Sequence, residues 1–204
     1  MVEQEINSAF NRYRSLVNAL VENTRALSYL HGDAAISAQD YASLWISVVQ
    51  FPAMCILSRR YLSPWSSAER DYSKHIADLS SLSVREKIKT SGRRMQILHH
   101  GTYAQFEEGK EGLIEIAKKA ENCVPEEHAA CVRSFGGFTA LATIYVGNPD
   151  KKQHIYEALF RWAEDHNLPL SDTAIEEYLV DSLSSTNRRY FVTRIYLPLQ
   201  GCEV

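Results

Sequence analysis

Apolar residues near the N-terminus recur with the period of a helix. Their spacings alternate between four and three residues, as at the a and d positions of a heptad, and the positions are Ile6, Phe10, Tyr13, Val17, Leu20, Thr24 and Leu27. We predict a helix over residues 3–31 that ends at Gly32. We call this row of apolar positions the seam. Two arrangements fit it: a helix docked on its own domain, or a coiled coil that joins two chains. Phe10 and Tyr13 are bulky for a coiled-coil seam, and Thr24 weakens it.

The pattern changes after a short stretch of small and polar residues at 33–44, which we interpret as a linker. An apolar segment follows. Because Pro52 within it cannot donate to a sheet ladder, we place a strand after it, at 53–61. Apolar residues at helical spacing then predict a helix over 66–82. Two further strands are predicted at 95–100 and 113–117.

The second half repeats this order of elements. A strand, a helix and two strands are predicted at 138–146, 150–165, 174–181 and 190–199, and residues 56–58 correspond to residues 141–143 at an offset of 85. The unit β-α-β-β thus occurs twice, which predicts an α+β fold. In that fold two repeats surround a pseudo-dyad, both helices lie on one side of a curved sheet, and the N-terminal helix precedes them. The groove between the halves is the first candidate for a ligand site.

The predicted domain organisation has three parts. Residues 1–32 form the N-terminal helix, residues 33–44 the linker, and residues 45–204 the α+β domain.

Composition excludes several classes of protein. The net charge of −3 gives no overall reason to expect DNA or an anionic membrane as a partner. No apolar run reaches the ~18 residues of a membrane span, and Glu3 and Glu5 do not fit a signal peptide, so we expect a cytoplasmic protein. The four cysteines form no C-x-x-C pair. His99 and His100 point to opposite faces of a predicted strand, so we expect no metal site.

Motifs of enzyme and cofactor sites are missing from the sequence. It contains no phosphate-binding loop, no dinucleotide-binding glycine pattern, no nucleophile elbow and no H-E-x-x-H. We therefore expect no cofactor and assign no catalytic residue.

Several short motifs follow one another in a fixed order between residues 45 and 200. Together they make this part of the chain similar to the GyrI-like effector-binding domain, found at the C-terminus of MerR-type and AraC-type multidrug-sensing transcription activators. The motifs are Phe51-Pro52-Ala53-Met54, Gly136-Gly137, Gly147, Arg161-Trp162-Ala163-Glu164, Glu176-Glu177-Tyr178-Leu179 and Thr193-Arg194-Ile195-Tyr196-Leu197-Pro198. The chain departs from the family at Arg194, where an acid is common, and at Asn148-Pro149, where a tyrosine is common.

The resemblance implies a function. It predicts that this chain senses an amphipathic or cationic aromatic compound and thereby regulates transcription. The seam at residues 6–27 is similar to the dimer helix of MerR-type activators, which implies a homodimer. No DNA-binding module is visible in this chain, so the resemblance implies that a DNA-binding segment is missing from it or is supplied by a partner.

Glu176 is the main candidate for ligand recognition. It alternates with Tyr178 along one predicted strand, so the two side chains share a face, whereas Glu177 faces the other way. The resemblance places Glu176 at the acidic position that meets cationic ligands in the multidrug sensors. A carboxylate in an aromatic groove is partly desolvated, and a lipophilic cation restores its pairing. The alternative is a solvated surface glutamate.

Further candidates lie on other predicted strands. Glu115 faces either the groove or solvent, because Ile114 and Ile116 point the opposite way. Arg194 pairs with Glu176, binds an anion, or forms a structural salt bridge. The aromatic candidates for ligand contact are Tyr145 and Tyr196.

Two other functions compete with ligand sensing. Some stand-alone members of the resembled family are hydrolases that use a pocket carboxylate, and Glu176 with Tyr178 would supply the acid and orient a water. The third hypothesis is a GyrI-like module that binds a partner protein and no small ligand. Turnover would identify the enzyme, and binding to a protein alone would identify the interaction module.

Overall fold

The structure, a computed structural model, describes residues 45–99, 111–121, 130–148, 152–182 and 186–201. All of them lie in the compact unit Trp45–Val204. The helix predicted at 3–31, its seam at 6–27 and the linker at 33–44 lie outside the described residues.

The described elements follow the predicted order, with two strands added. The two helices predicted at 66–82 and 150–165 and all six predicted strands are present, so the α+β prediction is confirmed. The elements are β1 (Ser47–Gln50), β2 (Met54–Pro64), α1 (Trp65–Arg85), β3 (Lys89–Leu98), β4 (Glu111–Glu121), β5 (Val132–Phe135), β6 (Thr139–Val146), α2 (Gln153–Asp165), β7 (Ala174–Val180), a short 3-10 helix (Arg188–Tyr190) and β8 (Val192–Pro198).

One antiparallel sheet contains all eight described strands, in the order β1-β6-β8-β7-β3-β4-β2-β5. Each repeat is therefore β-β-α-β-β, one strand longer than predicted, and its first strand pairs with the other repeat: β1 with β6, and β5 with β2. If every strand is replaced by its counterpart in the other repeat, the same strand order results, read from the opposite edge of the sheet. The predicted pseudo-dyad is thus confirmed, and it passes between β3 and β7, where Met95 lies opposite Glu177.

Both helices cover the same face of the sheet. The Tyr156 hydroxyl of α2 lies 2.6 Å from Glu176, and the Tyr72 ring of α1 lies 4.8 Å from the ring of Tyr178. Glu176 and Tyr178 alternate along β7 and share this side, which we call the helix face. We call the opposite side, which carries Glu177, the cavity face.

Helix α2 is amphipathic, and its buried stripe explains why it packs on the sheet. Ile155, Leu159 and Ala163 follow one another at a spacing of four and are buried. The helix ends where Asn167 adopts a left-handed conformation, with φ 53°, and Leu168 N–H bonds to the carbonyl of Ala163 at 2.8 Å.

An aromatic cluster joins the two repeats on the cavity face. The Phe51 ring stacks on Phe138 at 5.0 Å and meets Phe135 and Tyr196 edge-on at 5.5 and 4.9 Å. Such geometries are the favoured ones for aromatic pairs. Backbone bonds fix the same crossing, because Phe51 N–H donates to Phe138 O at 2.8 Å and Gly137 N–H to Phe51 O at 3.0 Å. The β1–β2 and β5–β6 connections are thereby held together.

The internal correspondence needs one correction. Ile56 packs in the cavity-face cluster with Ala140 and Ala142, whereas Leu141 is not part of it. Because side chains alternate along a strand, Leu141 faces the helices. The offset of 85 therefore pairs residues from opposite faces, and a shift of one residue is required.

Neither helix of the described part combines the length and hydropathy that crossing a membrane requires.

Candidate ligand-binding site

A cavity of about 530 Å³ opens on the cavity face. Its walls come from both repeats, and this volume falls within the range of known small-molecule sites. Most of its walls are apolar, formed by Val49, Phe51, Met54, Met95, Ala142 and Ile144. An apolar compound of suitable size would exclude water from these walls and gain the corresponding hydrophobic free energy.

Three polar side chains form a connected group in this cavity. Glu177 of β7 lies opposite Arg194 of β8, so both point to the cavity face. Arg194 Nη1 donates to the Tyr196 hydroxyl at 3.2 Å, and that hydroxyl donates to Glu177 Oε2 at 3.2 Å. The Arg194 Nη1 to Glu177 Oε2 distance is 3.7 Å. The side chains of Glu177 and Arg194 remain 23% and 40% exposed, so a ligand can reach them.

The protonation states in this group follow from its surroundings. Burial raises the pKa of the Tyr196 phenol, and the Glu177 charge adds to this rise. Burial alone would lower the pKa of Arg194, but its bond to Tyr196 and the charge of Glu177 raise it overall. Tyr196 is therefore a neutral phenol and Arg194 a cation at physiological pH.

The charged residues along the cavity are mostly basic. Arg93, Lys119 and Arg194 line it, and Glu177 is the acid among its described lining residues, which gives a formal charge of +2. Arg93 Nη1 donates to the backbone carbonyl of Leu179 at 2.8 Å. Within the described part of the chain, no carboxylate pairs with Arg93 or Lys119.

Glu176 lies on the helix face, outside the cavity. Its side chain is fully buried, and Lys152 Nζ contacts its Oε2 at 2.7 Å. Tyr156 donates to Oε1 at 2.6 Å, and the Tyr178 hydroxyl lies 2.9 Å from Oε2. The predicted pairing of Glu176 with Arg194 is replaced, because Lys152 at the start of α2 neutralises this carboxylate and Arg194 points to the other face.

The Tyr178 hydroxyl has two acceptors within reach. It lies 2.9 Å from Glu176 Oε2 and 2.8 Å from Gln96 Oε1, but it carries one proton. The charged carboxylate is the stronger acceptor. Tyr178 is thereby committed to the buried network and does not reach the cavity.

Glu115 lies on the cavity face but does not line this cavity. Arg133 donates two hydrogen bonds to its carboxylate, from Nε at 3.0 Å and from Nη2 at 2.9 Å, and His99 Nε2 lies 2.9 Å from the same carboxylate. Arg60 Nε lies 3.4 Å from the same group. Burial alone would raise the pKa of Glu115, but the bonds from His99, Arg133 and Ser58 outweigh it and hold the pKa well below its usual range. The carboxylate is fully buried and fully partnered.

Tyr145 has a local structural role. Its hydroxyl donates to the backbone carbonyl of Asn148 at 2.8 Å. A Cβ on Gly147 would lie 2.9 Å from that hydroxyl, so the glycine leaves room for the ring. Tyr145 thus closes the turn after β6 and is not among the cavity residues.

The structure places two of the predicted site residues, Tyr196 and Arg194, side by side in the cavity. It separates Glu176, Tyr178, Glu115 and Tyr145 from them. Sequence reasoning missed Glu177, Arg93 and Lys119 as cavity residues. The signal for Glu177 was present, because alternation already placed it opposite Glu176, but the sequence did not tell which face carries the cavity.

Comparisons with known proteins show the fold. No protein-family model matches the chain. No curated protein sequence matches it either. Among solved structures, the crystal structure of the EcmrR C-terminal domain has a TM-score of 0.65 at 19% identity, covering 78% of this chain and 99% of that one. EcmrR in its DNA complex also gives 0.65, at 17% identity, covering 97% of this chain and 70% of that one.

Two further structures share the architecture. A hydrolase from Listeria innocua has a TM-score of 0.57 at 13% identity, with 76% of this chain and 91% of that one covered. SAV2435 bound to tetraphenylphosphonium has a TM-score of 0.50 at 14% identity, with 76% and 94% covered. The described part of the chain therefore has the GyrI-like fold that the sequence resemblance predicted.

Proposed function

We propose that residues 45–204 form an effector-binding domain that takes an amphipathic small molecule into the cavity, and that the chain thereby acts in transcription regulation. Two likenesses support this proposal. The EcmrR C-terminal domain has the same fold, and EcmrR has been seen bound to DNA. SAV2435 has been seen with tetraphenylphosphonium, a lipophilic cation, bound.

The main support for the proposal is the composition of the cavity. It combines apolar walls with one connected polar group, Glu177, Tyr196 and Arg194. Apolar walls supply affinity, and a few placed polar groups supply orientation. An amphipathic molecule matches this division, with its apolar body against the walls and its polar end at the polar group.

Ligand binding at this place would couple the two repeats. Met95 and Glu177 lie opposite each other across the pseudo-dyad, and both line the cavity. A ligand that contacts both favours one relative arrangement of the repeats. We propose that ligand binding thereby influences the assembly of the chain as a homodimer, through the seam at residues 6–27 of the helix predicted at 3–31.

The geometry does not support cation recognition by Glu176. A cation would have to pass α2 and displace Lys152, whose side chain is 4% exposed. Removing the partner of a buried charge costs several kcal/mol, about 3–5. We therefore assign Glu176 to the stability of the domain. The same position speaks against the hydrolase hypothesis that uses Glu176 with Tyr178, and the likeness to the Listeria innocua hydrolase is one of fold alone.

A cavity-filling substitution tests the proposal. Ala142 is a small residue of the cavity wall, so Ala142→Leu adds volume inside the cavity. Isothermal titration of the full chain with a panel of amphipathic compounds should give saturable binding without turnover. Ala142→Leu should weaken that binding at least ~10-fold, whereas Ala142→Ser, which adds little volume, should retain it.

Three outcomes would contradict the proposal. If no member of the panel binds the unmodified chain, the result favours the hypothesis of a protein-binding module. If a compound of the panel is hydrolysed, the result favours the hydrolase hypothesis. If Ala142→Leu binds as well as the unmodified chain while its melting temperature is unchanged, the ligand lies outside this cavity.

A further inference from the structure

We infer that the cavity selects amphipathic anions, compounds with an aromatic or aliphatic body and one negative charge, which Arg194 binds with support from Arg93 and Lys119. This inference rests on the proposed function, because it names the class of ligand for the same cavity.

The balance of charge is the first observation. Three cations and one carboxylate line the cavity among the described residues. They lie on four neighbouring strands of the sheet: Arg194 on β8, Glu177 on β7, Arg93 on β3 and Lys119 on β4. The cations thus flank Glu177 on both sides. A cavity with this excess of positive charge attracts anions and repels cations.

The engagement of Glu177 is the second observation. Its carboxylate already accepts from Tyr196 at 3.2 Å and lies 3.7 Å from Arg194. An incoming cation would have to compete with these partners. Glu177 therefore attracts a cation less strongly than an unpaired carboxylate would.

The third observation is that Arg194 has N–H donors beyond those used in its contacts with Tyr196 and Glu177. A guanidinium carries five N–H donors. Among the described residues, the contacts of Arg194 to Tyr196 and Glu177 both use Nη1. Arg194 lines the cavity, and 40% of its side chain is exposed, so a ligand in the cavity can reach it. Guanidinium groups bind carboxylate and phosphate oxygens with paired, charge-assisted bonds.

Protonation keeps this preference in place near neutral pH. The pKa of the Tyr196 phenol is raised, mainly by burial, so it adds no negative charge to the cavity. Arg194 keeps its charge for the reason given above. The excess of positive charge is therefore present across the physiological range.

Two ions with the same four phenyl groups and opposite charge provide the test. Tetraphenylborate and tetraphenylphosphonium would each be titrated into the full chain by isothermal calorimetry at fixed salt. We expect tetraphenylborate to bind at least ~10-fold more tightly, which corresponds to about 1.4 kcal/mol. Arg194→Gln should remove most of this preference by weakening the borate and not the phosphonium.

A matched control separates the site from the overall charge. Arg189 is exposed and does not line the cavity, and Arg189→Gln changes the net charge by the same amount. It should leave the preference unchanged. Arg194→Lys keeps the charge and should keep a preference for the borate, and it serves if Arg194→Gln does not fold.

The outcomes distinguish the inference from the proposed function. If neither ion nor any other amphipathic compound binds, the proposed function fails. If both ions bind and the phosphonium binds as tightly or more tightly, the cavity holds ligands but the inference is overturned. Equal losses of borate affinity in Arg189→Gln and Arg194→Gln would also overturn it, because they indicate a bulk electrostatic effect.

Discussion

Glu176 and Glu177 are adjacent in β7, and their carboxylates lie on opposite faces of the sheet. Glu176 is fully buried against Lys152 beneath α2, whereas Glu177 lies in the cavity beside Arg194. The alternation of side chains along a strand produces this division. One residue therefore serves the stability of the domain, and its neighbour serves the proposed ligand site.

This division predicts unequal effects of two matched substitutions. Glu176→Gln removes one charge of the buried pair that Glu176 forms with Lys152 and should cost about 3–5 kcal/mol of unfolding free energy. Glu177→Gln removes a partly exposed pair and should cost less than ~1 kcal/mol. Urea unfolding of the full chain at pH 7 measures both. Equal losses would contradict the assignment of Glu176 to a buried ion pair.

A double variant provides the control for this interpretation. Lys152→Met together with Glu176→Gln removes both charges. The amide oxygen accepts from Tyr156, and the amide NH2 donates to the Tyr178 hydroxyl, which in turn donates to Gln96. The double variant should be more stable than Glu176→Gln alone, since it removes both charges of the buried pair and not only one of them. If the two losses simply add, the two residues are not energetically coupled.

The acid sensitivity of the fold should depend on Glu115. The folded-state pKa of this carboxyl lies below its unfolded value, because bonds from His99 and Arg133 outweigh the effect of burial. As pH falls, the unfolded chain takes up the proton first, so stability is lost with acidification. The contribution is fully present above the ordinary glutamate pKa of about 4.3 and is lost progressively below it.

Glu115→Gln isolates this contribution. The difference in unfolding free energy between the unmodified chain and this variant should be large at pH 7 and should shrink as the pH is lowered from 5 to 3. Denaturant unfolding at several pH values measures it. Glu164→Gln, at an exposed position of α2, should show no such convergence. A difference that stays constant with pH would show that Glu115 contributes through packing and not through its charge.

The seam at residues 6–27 leads to a prediction about assembly. Val17 and Leu20 occupy it, so Val17→Glu with Leu20→Glu should dissociate a dimer that the seam forms. Asn18→Glu lies off the seam and serves as the control. Sedimentation velocity of the full chain measures both. A monomeric unmodified chain would favour the alternative in which this helix docks on its own domain.

The fold was largely predictable because long elements leave strong patterns. The predicted helix at 150–165 and strand at 174–181 agree with α2 and β7 to within three residues. Strands β1 and β5 were missed because each has four residues and pairs only with the other repeat. Such short segments show too few alternations to be recognised, and their partners lie far away in the sequence.

The site was less predictable because the two faces of β7 resemble each other in sequence. Ala174 and Ile175 are both buried, one on each face, so hydrophobicity does not tell which face the helices cover. The pairing of Glu176 with Lys152 and Tyr156 depends on where α2 docks. Sequence periodicity predicts the helix but not its docking position.

Gly136 leads to the last prediction, which concerns the crossing of the two repeats. Its φ is +92°, and a Cβ there would lie 2.1 Å from the carbonyl oxygen of Pro52. That oxygen belongs to the backbone, so the β1–β2 connection would have to move. Gly201 provides a matched control, since its φ is +88° but a Cβ there meets nothing within 4 Å. Gly201→Ala should cost about 1–2 kcal/mol, from backbone strain alone. Gly136→Ala should cost an additional ~1–3 kcal/mol from overpacking.

Because Pro52 and the adjoining Phe51 line the cavity, Gly136→Ala should also weaken ligand binding, and Gly201→Ala should not. Thermal unfolding and calorimetric titration measure the two effects. Equal destabilisation by both substitutions would contradict a close backbone approach at Gly136.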